Sequence, residues 1–248
     1  MVMKRITSVN NEYIKKISSL KTKKYRDEYK MFFIEGYHLV SEAFKANILI
    51  EVLIVNEEDY INGISNLLVT EEIIKKIANT VSPQKIIGIC KIKEESFVLG
   101  DRILILDDVQ DPGNLGALVR TALGFEFNNI ILSNNSIDIY NDKFLRATQG
   151  AFFNINIIKD NINKWIIKLK ENNYYIIGTG FDNSKNIELL EYNKKVVLIL
   201  GNEGKGINKE TLSLCDVVAK IEINQKLESL NVMVAGGIMM FKIATIKK

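Results

Sequence analysis

The stretch LDDVQDPGNLGALVRTA, residues 106–122, leaves an apolar run through three acids, a proline, two glycines and an asparagine, then enters a helical pattern. Asp, Pro, Gly and Asn are the residues that turns use, so the stretch is predicted to be a strand, a turn and a helix in succession. The same step recurs on either side of it. RILILDDV, NNIILS, FFNINII, YYIIGTG, KVVLILG and DVVAKIEI are predicted strands. GALVRTALGF, DKFLRATQGA, NINKWIIKLKEN and the segment from Ser229 to Lys248 are predicted helices. Continuously apolar strands such as VVLIL suit a parallel sheet covered on both faces. The expected fold class is α/β with a doubly wound parallel sheet, and such sheets bind ligands at the carboxyl ends of their strands.

Upstream lies a smaller α/β pattern. KMFFIEG, ILIEVLIVN, NLLVT and KIIGICKIK are predicted strands, with helices expected near Tyr37–Ala46, Glu57–Ile61 and Glu71–Asn79. KEESFVLGD, residues 93–101, breaks the pattern with charge and a glycine and is expected to be a linker. This gives two domains, 1–95 and 96–248.

The 248 residues carry a net charge of only +3, but the charge is unevenly spread. Residues 1–30 hold nine basic side chains against three acidic ones. Tyr13, Tyr25 and Tyr29 are interleaved among them, as on a surface that meets phosphates and stacks bases. Lys21, Lys23, Lys24 and Arg26 are the candidate nucleic-acid contacts; a solvated basic helix is the plainer alternative.

Composition removes several chemistries. The two cysteines, Cys90 and Cys215, lie in or beside apolar runs and are expected to be buried thiols rather than a disulfide. With His38 the only histidine, no Cys/His metal spacing, Cys-His nucleophile or Ser-His-Asp triad exists, and no metal is expected. His38 opens a helical pattern and is expected to be structural. No apolar stretch is long enough to span a bilayer and the first residues lack a signal-peptide core, so the expectation is a cytoplasmic protein with no membrane partner.

Three loops fall where the parallel sheet would place a ligand: the opening stretch, LILGNEGKGI (198–207), and IEINQKLESLNVMVAGGIMMF (221–241). Neither nucleotide fingerprint fits. GNEGKGI has two residues where a Walker loop has four, and PGNLG lacks the G-x-G-x-x-G spacing. Together, however, the three loops resemble the SpoU/TrmH family of RNA ribose 2′-O-methyltransferases, within the SPOUT superfamily. DDVQDPGNLGALVRTA resembles its first motif, with Asn114 and Arg120; LILGNEGKGI its second, with Glu203; ESLNVMVA its third, with Glu228, Ser229 and Asn231. The opening ITSVNNEYIKKISSLKTKKYRD followed by FFIEGYHLV resembles the substrate-binding domain of the ribosomal-RNA branch. The chain departs from the third motif at Glu222, Gln225 and Met233.

The resemblance implies S-adenosylmethionine as methyl donor, a deep trefoil knot in the C-terminal sheet, and a small ribosomal-protein-like RNA-binding domain in front of it. Knots are rare exceptions to unthreaded connections, and periodicity does not reveal one. By motif position, Gly201, Ile221 and Leu230 are expected at the cofactor, largely through backbone atoms, with Thr179 and Gly180 added from their place at the end of YYIIGTG. Arg120, Asn114, Glu203, Ser229 and Asn231 are the expected catalytic set. The family role of Arg120 is proton removal from the ribose hydroxyl. A guanidinium is a poor base, so holding a phosphate and stabilising the developing alkoxide is the physical alternative.

Asn114 is expected either to orient the ribose or Arg120, or to cap a helix beginning near Leu115. Glu203 is expected to orient Arg120 by ion pairing. Ser229 is either the N-cap of the last helix or a site residue, with Asn231 one residue inside that helix. The last helix is apolar over more than one face, so it is expected to be buried or to pair with a partner; the resemblance implies a homodimer through this surface, and a helix covered by its own sheet is the alternative. The expected reaction is 2′-O-methylation of a ribose in RNA, with 23S ribosomal RNA as substrate. The alternatives are transfer RNA or a non-catalytic RNA-binding module.

Overall fold

The computed structural model describes residues 3–93, 98–191 and 195–245. The chain divides into two compact units, Met1–Glu94 and Glu95–Lys248. Residues 94–97 of the expected linker lie outside the described residues.

The first unit runs β1 (Lys4–Ile6), α1 (Glu12–Ser19), α2 (Lys23–Tyr29), β2 (Met31–Glu35), α3 (Tyr37–Lys45), β3 (Leu49–Ile54), β4 (Ser65–Val69), α4 (Glu71–Ile77) and β5 (Ile86–Lys91). Its sheet has the order β1-β4-β3-β5-β2. Strands β1 and β3 run parallel to β4, while β5 is antiparallel to β2 and β3. One core joins Ile14 and Ile17 of α1, Ile73 and Ile77 of α4, and Leu53, Leu67 and Ile87 of the sheet. The helix expected at Glu57–Ile61 is only a 3-10 turn, Glu57–Asp59. The Asn66 side chain binds Ile61 N–H and the Ile61 and Ile64 carbonyls, which takes the chain out of helical bonding. Strand β1 was not expected, since three residues carry no readable period.

The second unit runs β6 (Arg102–Leu106), α5 (Pro112–Gly124), β7 (Asn129–Leu132), α6 (Asp142–Thr148), β8 (Asn156–Lys159), α7 (Ile162–Glu171), β9 (Tyr174–Thr179), β10 (Lys185–Asn186), β11 (Lys195–Leu200), α8 (Lys209–Ser213), β12 (Val217–Lys220) and α9 (Val232–Thr245). Its seven strands, ordered β10-β12-β9-β11-β6-β7-β8, pair entirely in parallel. FFNINII yields a strand only from Asn156, because Ala151–Asn154 forms a 3-10 turn that buries Phe153.

Alternation decides which helices cover which face. Ile103, Ile105, Val197 and Ile199 meet Ile162, Ile166 and Leu169 of α7. Each such fully buried aliphatic side chain contributes about 1.5–3 kcal/mol. Leu200 turns the other way, towards α5 and α9. A Cβ on Gly236 of α9 would stand 2.6 Å from the side-chain ends of both Leu118 and Leu200, so glycine lets the helix approach without pushing them aside.

The chain leaves β6 outward through β7 and β8, then returns to β9 beyond β11. Strand order therefore reverses between β6 and β11, the place where a parallel sheet opens a crevice at its carboxyl edge.

Candidate active site

Four loops reach that edge: those after β6, β9, β11 and β12. The loop after β6 ends in Asp111, whose carboxylate accepts from Asn114 N–H at 2.8 Å and caps α5, with Pro112 in the first turn. The helix thus begins ahead of Leu115 and its cap is Asp111, not Asn114, whose side chain is left for other work. The Asn114 amide donates to Glu203 Oε1 at 3.1 Å and its oxygen accepts from Asn231 at 3.2 Å. One side chain therefore ties the loops after β11 and β12 to the loop after β6. The Asp111 carboxyl is held below its ordinary value, first by the Asn114 N–H and further by Lys143, 3.5 Å away.

The loop after β11 is shaped by glycine and asparagine. A Cβ at Gly201 would lie 2.2 Å from Gly206 C and Ile207 N, so the loop folds back on itself only with glycine there. Asn202 accepts from the N–H groups of Gly204 and Lys205 and donates to Asp108 O. Buried Asp107 accepts from Asn208 N–H at 2.9 Å. These bonds lace the loops after β6 and β11 together.

Beside this network lies a cavity of about 470 Å³. It is lined by Thr179, Gly180, Gly201, Ile221 and Leu230, and by Glu203 and Ser229 at its polar side. Thr179 donates its hydroxyl to Ile199 O, and Gly180 N–H to Ala219 O, so both belong to the frame of the sheet. Glu222, Gln225 and Met233, the departures from the third motif, are not in the wall; Glu222 pairs with Lys220 at 3.2 Å. Phe181, Asp182, Asn202, Lys205 and Lys220 line the cavity and were not anticipated. Asn202, two residues before Gly204, carried a readable turn signal; the others did not. The volume and the mixture of apolar walls with backbone polar groups suit a cofactor-sized molecule.

Three expectations are corrected. Asn231, not Ser229, caps α9: its side chain accepts from Met233 N–H at 2.9 Å and its carbonyl from Ala235 N–H. The Glu203–Arg120 ion pair is absent among the described residues, because Glu203 is engaged by Asn114. Six residues beyond Asn114, Arg120 sits about 9 Å along α5 and about 120° round from it. It is exposed and makes no hydrogen bond or ion pair among the described residues. Arg26, expected at an RNA surface, is buried and donates to Leu20 O and Lys21 O, both at 3.0 Å, closing the end of α1.

The other basic candidates stay at the surface. Lys23 and Lys24 are exposed, and Lys21 is exposed while donating to Ala78 O at 2.8 Å. Tyr25 and Tyr29 stack at 5.9 Å on α2, with Lys24 and Lys16 over their rings. His38 lies in the first turn of α3. Both cysteines are free; Cys90 is buried, whereas Cys215 is only partly so. No helix among the described residues is long and apolar enough to cross a membrane.

A parallel sheet with four loops at its carboxyl edge, three of them laced together, and a cofactor-sized cavity among the loops after β9, β11 and β12 defines the class: the chain belongs to the SpoU rRNA methylase family, which it matches over residues 101–241. The members of this family are RNA methyltransferases that use S-adenosylmethionine. Residues 11–88 match the MRM3-like substrate binding domain. Among individual proteins, the chain is 33% identical to the 23S rRNA (guanosine(2553)-2'-O)-methyltransferase RlmP of Bacillus subtilis, across 96% of this chain and 98% of that one. It also resembles an AdoMet-bound rRNA methyltransferase from Sinorhizobium meliloti, at 31% identity and a TM-score of 0.85 over 97% of both chains. The likeness to the A. aeolicus TrmH/SpoU tRNA modifying enzyme, at 28% identity and a TM-score of 0.53, covers 58% of this chain and 74% of that one.

Proposed function

We propose that the protein transfers a methyl group from S-adenosylmethionine to a ribose 2′-hydroxyl of 23S ribosomal RNA in the cytoplasm. The observation that carries this reading is the junction of Asn114, Glu203 and Asn231 beside the cavity, which joins polar residues of all three motifs. The ribosomal-RNA relatives match across both units, whereas the likeness to the tRNA enzyme covers little more than half of the chain.

When bound, the cofactor supplies an electrophilic methyl on a sulfonium. Gly201, Ile221 and Leu230 hold it, with Thr179 and Gly180 as the floor. Attack on a methyl needs in-line alignment, so fixed positioning is the main contribution of these loops. Asn114 keeps Glu203 and Asn231 in register, and Ser229 stands at the cavity as a further polar contact. Arg120 holds the phosphate beside the target ribose and stabilises the developing alkoxide. Lys21, Lys23 and Lys24, with the Tyr25–Tyr29 stack, give the first unit its RNA surface. The trefoil knot belongs to the same proposal.

The active form is a homodimer. Val234, Ile238 and Phe241 form one apolar stripe along α9 and are 41%, 39% and 55% exposed. Their i, i+4, i+7 spacing puts them on one face, and a second copy of the same helix would cover it.

The test is transfer of labelled methyl to unmodified 23S ribosomal RNA and, separately, to transfer RNA, with Arg120→Ala as control. Ribose labelling of ribosomal RNA alone, lost in the variant, is the expected result. Labelling of transfer RNA alone would overturn the substrate, and absence of both labelling and cofactor binding would overturn the reaction.

A further inference from the structure

Lys143 lies in a part of the fold that none of the three motifs includes. Its Nζ is 3.5 Å from Asp111 Oδ2, and the two side chains are 61% and 46% exposed. Asp111 caps α5 through Asn114 N–H, and its own N–H lies 3.5 Å from Glu203 Oε1. The ammonium group is therefore one residue removed from the Asn114–Glu203–Asn231 junction.

Three further observations give it a task. The backbone beneath it is held tightly, because a Cβ on Gly116 of α5 would stand 2.4 Å from Ala147 Cβ, and Phe144, Leu145 and Thr148 of α6 are buried. Lys143 also stands in the first turn of α6, where the helix dipole disfavours a cation, so local helix stability does not account for it. Finally, the neighbourhood is acidic. Asp111 and Glu203 both stand at the junction, and among the described residues Glu203 has no ion-pair partner. Lys205 and Lys220 stand in the cavity wall itself, and Lys143 places a cation beside Asp111 on the α6 side, where a polyanionic substrate would approach.

We propose that Lys143 is an RNA-contacting residue, whose ammonium exchanges the Asp111 carboxylate for a backbone phosphate beside the target ribose. The inference rests on the proposed reading of this edge as the methyl-transfer site. The exchange is inexpensive, since an exposed ion pair contributes little and a phosphate offers more acceptor oxygens. Asp111 holds the lysine in place until RNA arrives and continues to cap α5 afterwards.

Binding of the full-length protein to unmodified 23S ribosomal RNA, titrated across salt concentrations, separates this from a structural role. Lys143→Ala should weaken binding about fivefold or more near physiological salt and lower the log–log salt slope by about 0.7–0.9, one phosphate contact. Lys143→Arg should restore both, and Asp111→Asn, which frees the ammonium, should tighten binding. Calorimetric affinity for S-adenosylmethionine should be the same in wild type and Lys143→Ala. An unchanged salt slope in Lys143→Ala overturns the proposal. Loss of cofactor affinity in both lysine variants overturns it too, in favour of a role in shaping the loop. These readouts need no methyl transfer, so a wild type that binds RNA but labels none would count against the proposed reaction and leave the Lys143 result to be read by itself.

Discussion

Asn114 has one short side chain and two demands on it, and its amide meets both by giving its N–H to Glu203 and its oxygen to Asn231. Asn114→Ala should therefore cost little stability, on the order of 1 kcal/mol per lost bond, but lower kcat by about a hundredfold. Asn114→Asp should be worse, since it sets a second carboxylate against Glu203; steady-state kinetics beside a denaturant titration separates the two effects. Arg120 makes the complementary case. It does not line the cavity, so Arg120→Ala and Arg120→Lys should abolish transfer while calorimetry finds cofactor affinity unchanged. Asp111 links chemistry to pH. Its carboxyl is lowered from 3.8, so its stabilising contribution is present above about that pH and is lost as pH falls through the lower folded-state value. The melting temperatures of wild type and Asp111→Asn should differ at neutral pH and converge as the solution is acidified below the ordinary carboxyl value of 3.8 and through the lower folded-state one.

Among elements, the loop after β11 is the least forgiving. Gly201→Ala would drive a Cβ to 2.2 Å from the backbone of Gly206 and Ile207, and backbone cannot step aside as a side chain does. Its cofactor affinity should fall about tenfold or more, measurable by calorimetry, with the sheet beneath left intact. Long apolar strands such as β6 and β11 were legible because burial on both faces leaves an unbroken hydrophobic run. Strands β1 and β10 were not, because two or three residues hold no period and take their conformation from a neighbouring strand. The start of α5 was misread by three residues for a related reason: Asp111, Gly113 and Asn114 all favour turns, and only the bond actually formed selects the cap.

The whole molecule adds a requirement that neither residue nor element meets alone. The α9 stripe of Val234, Ile238 and Phe241 leaves apolar surface without cover in one copy. Ile238→Lys should convert the proposed homodimer into a monomer in sedimentation velocity and lower transfer, while each subunit keeps its cavity, because Ile238 does not line it. At this scale the two units divide the labour, with the stacked tyrosines and lysines of α2 in one and the laced loops in the other.

By itself the sequence determined the alternation of strands and helices, the parallel character of the second sheet, the three loops at its edge and the family they resemble. All of these follow from local composition and spacing, which folding does not rearrange. Only the tertiary structure decided which of those polar residues meet. It brought Asn114, Glu203 and Asn231 together, left Arg120 exposed and outside that junction, turned Arg26 inward to cap α1, and set Lys143 beside Asp111. A side chain's partner depends on helix phase and on how closely two backbones approach. Residues as distant in the chain as 114 and 231 acquire that relation only when the sheet has ordered its strands.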